Sequence, residues 1–208
     1  MRPEADRSRG IVFVLSGPSG VGKDSVLEKL QALETGLHYC ITTTTRLPRS
    51  GERAGGDYFF LGEDEFLRLR DSGDLLEWAA VHGHFYGVPA AQVRSALARG
   101  QDVLACIDVQ GAMTFKRRIP SAVLIFLAPS SVEELRRRLS GRGTESSRDV
   151  ALRLANAEME LARVPDFDYV VMNPDGGLED AVDAVRGIIR TERLRVNPRY
   201  ASLEPADA

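Results

Sequence analysis

The segment from Ile11 to Lys23 restricts the possible folds more than any other part of the chain. Ile11-Val12-Phe13-Val14-Leu15 is an unbroken apolar run rich in β-branched residues, which reads as a strand buried on both faces. Ser16-Gly17-Pro18-Ser19-Gly20-Val21-Gly22-Lys23 ends that run with a glycine-rich loop. From Asp24 the apolar residues Val26, Leu27, Leu30 and Leu33 then recur at helical spacing until Gly36 stops the pattern. Strand, glycine loop and helix in this order form the first half of a βαβ unit. In such a loop the glycines let successive backbone N–H groups point inward at a polyphosphate, the helix N-terminus adds a favourable dipole, and a lysine reaches the outer phosphates. The pattern predicts a nucleotide-binding loop made of Gly17, Pro18, Ser19, Gly20, Val21, Gly22, Lys23, Asp24 and Ser25, with Lys23 in the catalytic role. The residue after the lysine is ordinarily a Ser or Thr whose hydroxyl ligates Mg2+, but here it is Asp24. A carboxylate is itself a hard oxygen ligand, so Asp24 is a candidate for the Mg2+ that accompanies ATP; the alternative is a helix cap.

Further apolar segments repeat the strand signal at Val103–Ile107, Val123–Leu127 and Tyr169–Met172, each separated by helix-patterned stretches. That alternation predicts a parallel sheet covered by helices on both faces, an α/β class. Between Cys40 and Gly87 the texture changes to Thr-rich, Arg-rich and aromatic segments with many glycines, which suits a small mixed insertion that binds substrate. Residues 131–163 carry two helical patterns broken by Gly141-Arg142-Gly143-Thr144, with arginines clustered at the break, and read as an arginine-bearing flap. A last helix is expected over Leu178–Ile189. Residues 1–9 and 192–208 are expected to be loosely held ends.

A chain of 208 residues with 43% hydrophobic content can bury one sizeable core, so a single domain is expected. Its 27 basic and 30 acidic residues leave a net charge of -3, which gives no reason to expect nucleic acid or an anionic membrane as partner. Cys40 and Cys106 are too few for a disulfide framework or a metal cluster and fit a reducing, cytoplasmic setting. His82 and His84 flank Gly83 in a turn and lack a third ligand.

A second chemical cluster begins at Thr42-Thr43-Thr44-Thr45-Arg46-Leu47-Pro48-Arg49 and continues through Glu52 to Gly56-Asp57-Tyr58. Arg46 and Arg49 lie three apart in a Pro- and Gly-rich loop, where guanidinium forks can grip a second phosphate bidentately. Tyr58 can add a hydroxyl donor. Glu77, beside Trp78, can accept from a base that offers N–H donors; a solvated arginine loop is the alternative.

Taken together, Ser16 to Lys23, Thr44-Thr45-Arg46-Leu47-Pro48-Arg49-Ser50-Gly51-Glu52, Gly56-Asp57-Tyr58, Glu77-Trp78, Tyr86-Gly87, Asp108-Val109-Gln110-Gly111-Ala112 and Gly141-Arg142-Gly143-Thr144-Glu145 resemble guanylate kinase over about residues 11–190. The resemblance implies a three-layer P-loop NTPase fold with a monophosphate-binding lobe inserted near residues 40–95 and an arginine lid near 140–155. It implies that Arg46, Arg49 and Tyr58 hold the phosphate of GMP, that Thr42, Tyr86, Glu77 and Asp108 complete the GMP site, and that Arg138, Arg142 and Arg153 converge on the ATP phosphates. Two departures stand out: Val88 follows Tyr86-Gly87 where the family commonly has Ser or Thr, and Cys106 stands where many members have an acid. The implied reaction is ATP plus GMP giving ADP plus GDP in a monomer or homodimer. A sugar-phosphate kinase sharing the Gly-Lys-Asp-Ser loop and a non-catalytic scaffold of the same fold are the competing readings.

Overall fold

The structure, a computed structural model, describes the chain apart from residues 1–8, 50, 82, 141–146, 202 and 204–208. Five strands, β1 (Val12–Ser16), β2 (His38–Tyr39), β7 (Val103–Cys106), β8 (Val123–Ala128) and β9 (Tyr169–Met172), form a sheet in the order β2-β7-β1-β8-β9. Every pairing in it is parallel. Alternate residues of each strand supply opposite faces, so an unbroken apolar run is what a doubly covered strand requires. Phe13, Leu15, Leu104 and Ile125 pack against Val26 and Leu30 of α1 (Lys23–Leu33) and against Val182, Val185 and Ile189 of α7 (Leu178–Arg193). Val12, Val14, Ala105 and Leu124 pack on the other face against α3 (Ala90–Ala98) and α4 (Val109–Arg118) through Val93, Ala96 and Phe115. Phe13 and Phe115 are fully buried, each worth about 1.5–3 kcal/mol of transfer free energy.

The insertion folds as a second, mixed sheet. β3 (Thr42–Thr44), β4 (Tyr58–Phe60), β5 (Leu75–Val81) and β6 (His84–Pro89) lie in the order β4-β3-β6-β5. β3 runs parallel to β4 and antiparallel to β6, which pairs antiparallel with β5. One face is covered by α2 (Glu63–Asp71), whose buried Phe66 stacks on Phe85 with ring centroids 5.3 Å apart. At its root, Leu76 and Val88 join the same apolar cluster as Val12 and Val14, so the lobe is fused to the main sheet by packing as well as by chain. Helices α5 (Val132–Ser140) and α6 (Ser147–Leu161) flank the flap break. Arg142 lies outside the described residues.

The expected loose tail from residue 192 is corrected through residue 201. α7 continues to Arg193, and the chain then returns to bridge Tyr200 to Ile11, with Ala201 N–H donating to the carbonyl of Gly10 at 2.9 Å. Arg199 ties this return in place, donating to both carboxylate oxygens of fully buried Glu192 and to Asp168. The segment reads as solvated because the groups that anchor it, Asp168 and the backbone of Gly10, lie far away in sequence.

Candidate active site

Strand β1 delivers the glycine loop to the carboxyl end of the sheet, and the loop's shape follows from two close approaches. Gly17 has φ 145°, and a Cβ there would lie 2.2 Å from the carbonyl oxygen of Leu127. Gly22 has φ 97°, is the N-cap of α1, and a Cβ there would lie 2.6 Å from Asn173 Nδ2. Both positions exclude side chains on steric and conformational grounds. Lys23 folds over the loop, its ammonium donating to the carbonyls of Gly17 (2.6 Å) and Pro18 (3.1 Å). Asp24 sits exposed in the first turn of α1. The cap position belongs to Gly22 and receives no side-chain bond, so the capping alternative for Asp24 falls.

The flap arginines occupy two different sides of this loop. Arg153 Nη2 donates to Ser19 Oγ at 2.9 Å, which places α6 over the loop's crown. Arg138 instead braces the loop from behind: it donates to the carbonyls of Val21 (3.1 Å) and Asn173 (2.8 Å), to Asp175 (2.8 Å), and to Glu134, which is 2% exposed. Asn173 Nδ2 also donates to the Val21 carbonyl, at 2.8 Å. With Nε, Nη1 and Nη2 all engaged, Arg138 ties α5 to the back of the loop. Sequence reasoning also missed Glu160 of α6. Its carboxyl stands near Ser19, Lys23 and Asp108, and burial raises its pKa. No local pattern marks it, because its partners lie on the loop and on α4.

Across the cleft, β3 and β4 carry the second cluster. Glu52 holds the arginine turn together, accepting from Arg46 Nη2 at 2.8 Å and from the Arg49 N–H at 2.7 Å. Arg46 thereby lies over the Tyr58 ring, 5.4 Å from its centroid, while Tyr86 meets Tyr58 edge-on at 6.3 Å. The Arg49 side chain is exposed. Tyr58 joins the two halves of the site. Burial raises its hydroxyl pKa; Asp24 and Cys106 push it further up, and Arg46 pulls it down, so all three stand close to one phenol. Burial together with Asp24, eased by Lys23, pushes the Cys106 thiol up to about 12. The arginine turn and the glycine loop therefore open on one cleft.

The base-reading residues lie deeper. Thr42 is buried at the start of β3. Glu77 of β5 is 2% exposed and faces the N-terminus of α4, where a Cβ on Gly111 would come within 2.5 Å of Glu77 Oε2. Asp108 caps that helix, accepting from Gly111 N–H at 2.9 Å. Burial raises the Glu77 pKa well above the ordinary carboxylate range; Asp108 adds to the rise and a bond from the Val88 backbone opposes it. Val88 is fully buried in the apolar cluster at the root of the lobe and pairs with Glu77 in the β5–β6 ladder.

Comparison with known proteins matches this arrangement. A family profile described as guanylate kinase matches residues 9–192. The guanylate kinase of Thermotoga maritima is 43% identical over 196 residues, covering 94% of each chain, and that of Oceanobacillus iheyensis is 46% identical over 189 residues, covering 91% of each. The crystal structure of guanylate kinase from Anaplasma phagocytophilum superposes with a TM-score of 0.74 at 35% identity, covering 91% of this chain and 89% of that one. A glycine loop and an arginine turn facing across one cleft, on a fold shared with these proteins along nearly its whole length, place the chain in the guanylate kinase family.

Proposed function

We propose that the chain moves the γ-phosphoryl group of ATP onto a phosphate oxygen of GMP through the residues described above. The acceptor oxygen attacks the γ-phosphorus, the bond from that phosphorus to the ADP oxygen breaks, and ADP and GDP leave. The acceptor is already anionic at neutral pH, so no strong base is needed; alignment and charge neutralisation carry the catalysis. The glycine-loop amides and Lys23 hold the ATP phosphates. Arg153, with Arg142 of the flap, neutralises charge on the group in flight. Arg138 acts as a positioning residue that fixes the loop at Val21. Arg46, Arg49 and Tyr58 receive the GMP phosphate, while Thr42, Tyr86, Glu77 and Asp108 bound the nucleoside, the Glu77 carboxylate complementing the N1–H and 2-amino donors of guanine. The observation that best supports this reading is Tyr58, whose ring lies 5.4 Å from the Arg46 guanidinium and whose hydroxyl feels the charge of Asp24 on the glycine-loop side, which agrees with two phosphate sites that face one another.

The residues also fit Mg2+. Among the described residues no three His, Cys, Asp or Glu side chains form a protein-only cage, and Mg2+ typically takes one or two carboxylates with substrate phosphates and water. Exposed Asp24, one residue after Lys23, offers that carboxylate, whereas the Cys106 thiol holds its proton. Bound Mg2+ would neutralise phosphate charge during transfer. Asp24→Asn should raise the Mg2+ concentration needed for ATP binding, read by calorimetry; an unchanged requirement removes Asp24 from the shell.

A cytoplasmic enzyme acting as monomer or homodimer, without nucleic-acid or membrane partners, agrees with the charge balance; no described helix is long and apolar enough to cross a membrane. Measuring ADP release with GMP, AMP, UMP, CMP and ribose phosphates tests the assignment. Turnover with GMP above the others is expected, and turnover with a ribose phosphate alone would overturn it.

A further inference from the structure

Between the two sheets one residue belongs to neither ladder. The main sheet's last bond on the entering strand runs from Cys40 N–H to the Leu104 carbonyl at 2.9 Å, and the lobe's ladder starts at Thr42, paired with Tyr58. Ile41 lies between them, half-buried. A backbone amide in that position must find other partners. It finds both on one side chain: Ile41 N–H donates to Gln92 Oε1 at 2.9 Å, and the Ile41 carbonyl accepts from Gln92 Nε2 at 2.8 Å. The carboxamide of Gln92 thus replaces a missing neighbouring strand.

The position of Gln92 gives this pair of bonds a mechanical role. It lies in the first turn of α3, three residues after Pro89, where β6 leaves the lobe, and α3 is anchored through buried Ala90, Val93 and Ala96. One side chain therefore links the strand entering the lobe to the helix that follows the strand leaving it. We propose that Gln92 is a positioning residue for acceptor binding, clamping the backbone on both sides of Ile41 and so aiming Thr42 and β3 at the nucleoside pocket beside Glu77 and Asp108. This rests on the assignment of Thr42 and Glu77 to the guanine end of the cleft. The clamp needs an acceptor and a donor in one plane, which an amide supplies. Methionine of similar length offers neither, and an ionised glutamate keeps the bond from Ile41 N–H but turns an acceptor on the Ile41 carbonyl.

The test is steady-state kinetics on full-length Gln92→Met and Gln92→Glu with hydrogen exchange over residues 40–45. Losing two ordinary hydrogen bonds at the lobe's entry should raise KM for GMP roughly 5- to 20-fold, leave KM for ATP and kcat within about twofold, and speed exchange at Ile41. Gln92→Glu should raise KM for GMP in the same selective way; should the methionine variant fail to fold, it carries the test alone. An unchanged KM for GMP in a folded variant, or an equal rise for both nucleotides, overturns the clamp. Thr42→Val examines the underlying assignment separately: if it leaves KM for GMP unchanged while Gln92→Met raises it selectively, the clamp stands and Thr42 is not a guanine contact. If Thr42→Val raises KM and Gln92→Met does not, the clamp alone falls.

Discussion

Replacing Glu77 by glutamine tests how the buried carboxyl reads guanine. In the ligand-free protein burial and the neighbouring Asp108 hold the Glu77 pKa well above its ordinary 4.5. Guanine presents donors at N1 and the 2-amino group, and only the ionised carboxylate accepts from both. GMP binding therefore selects the ionised form and expels a proton at pH values below the raised pKa. Affinity should fall as pH drops through that value, by at most about tenfold per unit. Glutamine keeps one acceptor oxygen but points an NH2 at a guanine donor, losing one hydrogen bond to a charged group. At about 1.5–3 kcal/mol, that loss weakens GMP binding roughly 10- to 150-fold. Stability moves the other way. Folded Glu77 binds protons more readily than unfolded Glu77, so wild-type stability declines as pH rises from 4.5 through the raised value, and Glu77→Gln should melt higher than wild type above that window. Calorimetry in buffers of differing ionisation enthalpy measures proton release, with the glutamine variant separating Glu77 from titration of the GMP phosphate. Binding of GMP within about threefold of wild type by Glu77→Gln, with unchanged proton release, would refute the reasoning.

Arg138→Ala leaves the Glu134 carboxylate, 2% exposed, without its cation and removes two backbone contacts behind the glycine loop. A cost of about 3–5 kcal/mol, or a Tm lower by roughly 10 °C in a thermal melt, is expected, and a change below about 2 °C would refute the bracing role. Glu52→Gln should loosen the Arg46 and Arg49 turn, raising KM for GMP about 3- to 10-fold with KM for ATP unchanged, because pre-organised ligating groups lose less freedom on binding. The Cys106 thiol, pushed up to about 12, should alkylate slowly at pH 8 beside an exposed cysteine standard, and Asp24→Asn should speed labelling at that site as followed by peptide mass spectrometry.

The strand, glycine loop and first helix were legible because each is written in adjacent residues: an apolar run, glycines where backbone approaches backbone, and a 3.6-residue apolar spacing. The two-faced sheet followed from the same apolar runs at Val103, Val123 and Tyr169. The lobe was legible only as a change of texture. Its strands Thr42–Thr44 and Tyr58–Phe60 have three residues each, too short for alternation to register, and their parallel pairing depends on the arginine turn between them. Among site residues, Arg46, Tyr58 and Glu77 stood out by motif. Glu52 was quoted in the arginine motif without a role, and Glu160 and Gln92 did not stand out at all, because what marks them is proximity to another segment, the glycine loop at Ser19 and Lys23 for Glu160 and the Ile41 backbone for Gln92. Arg138 stood out by the resemblance alone, and nothing in its own helix announces its bonds to the Val21 and Asn173 carbonyls.

The bond from Ala201 to Gly10 makes two distant points of the sequence immediate neighbours. They meet where β1 begins, whereas the glycine loop starts where β1 ends, and the 5 residues of β1 at ~3.3 Å each put roughly 17 Å between the two. A tether to a solid support, or a fused reporter, attached at that junction would stay clear of the cleft. A short linker sewn from 201 to 10 would let the chain be reopened in a surface turn elsewhere, giving a rearranged enzyme whose catalytic half is assembled as before.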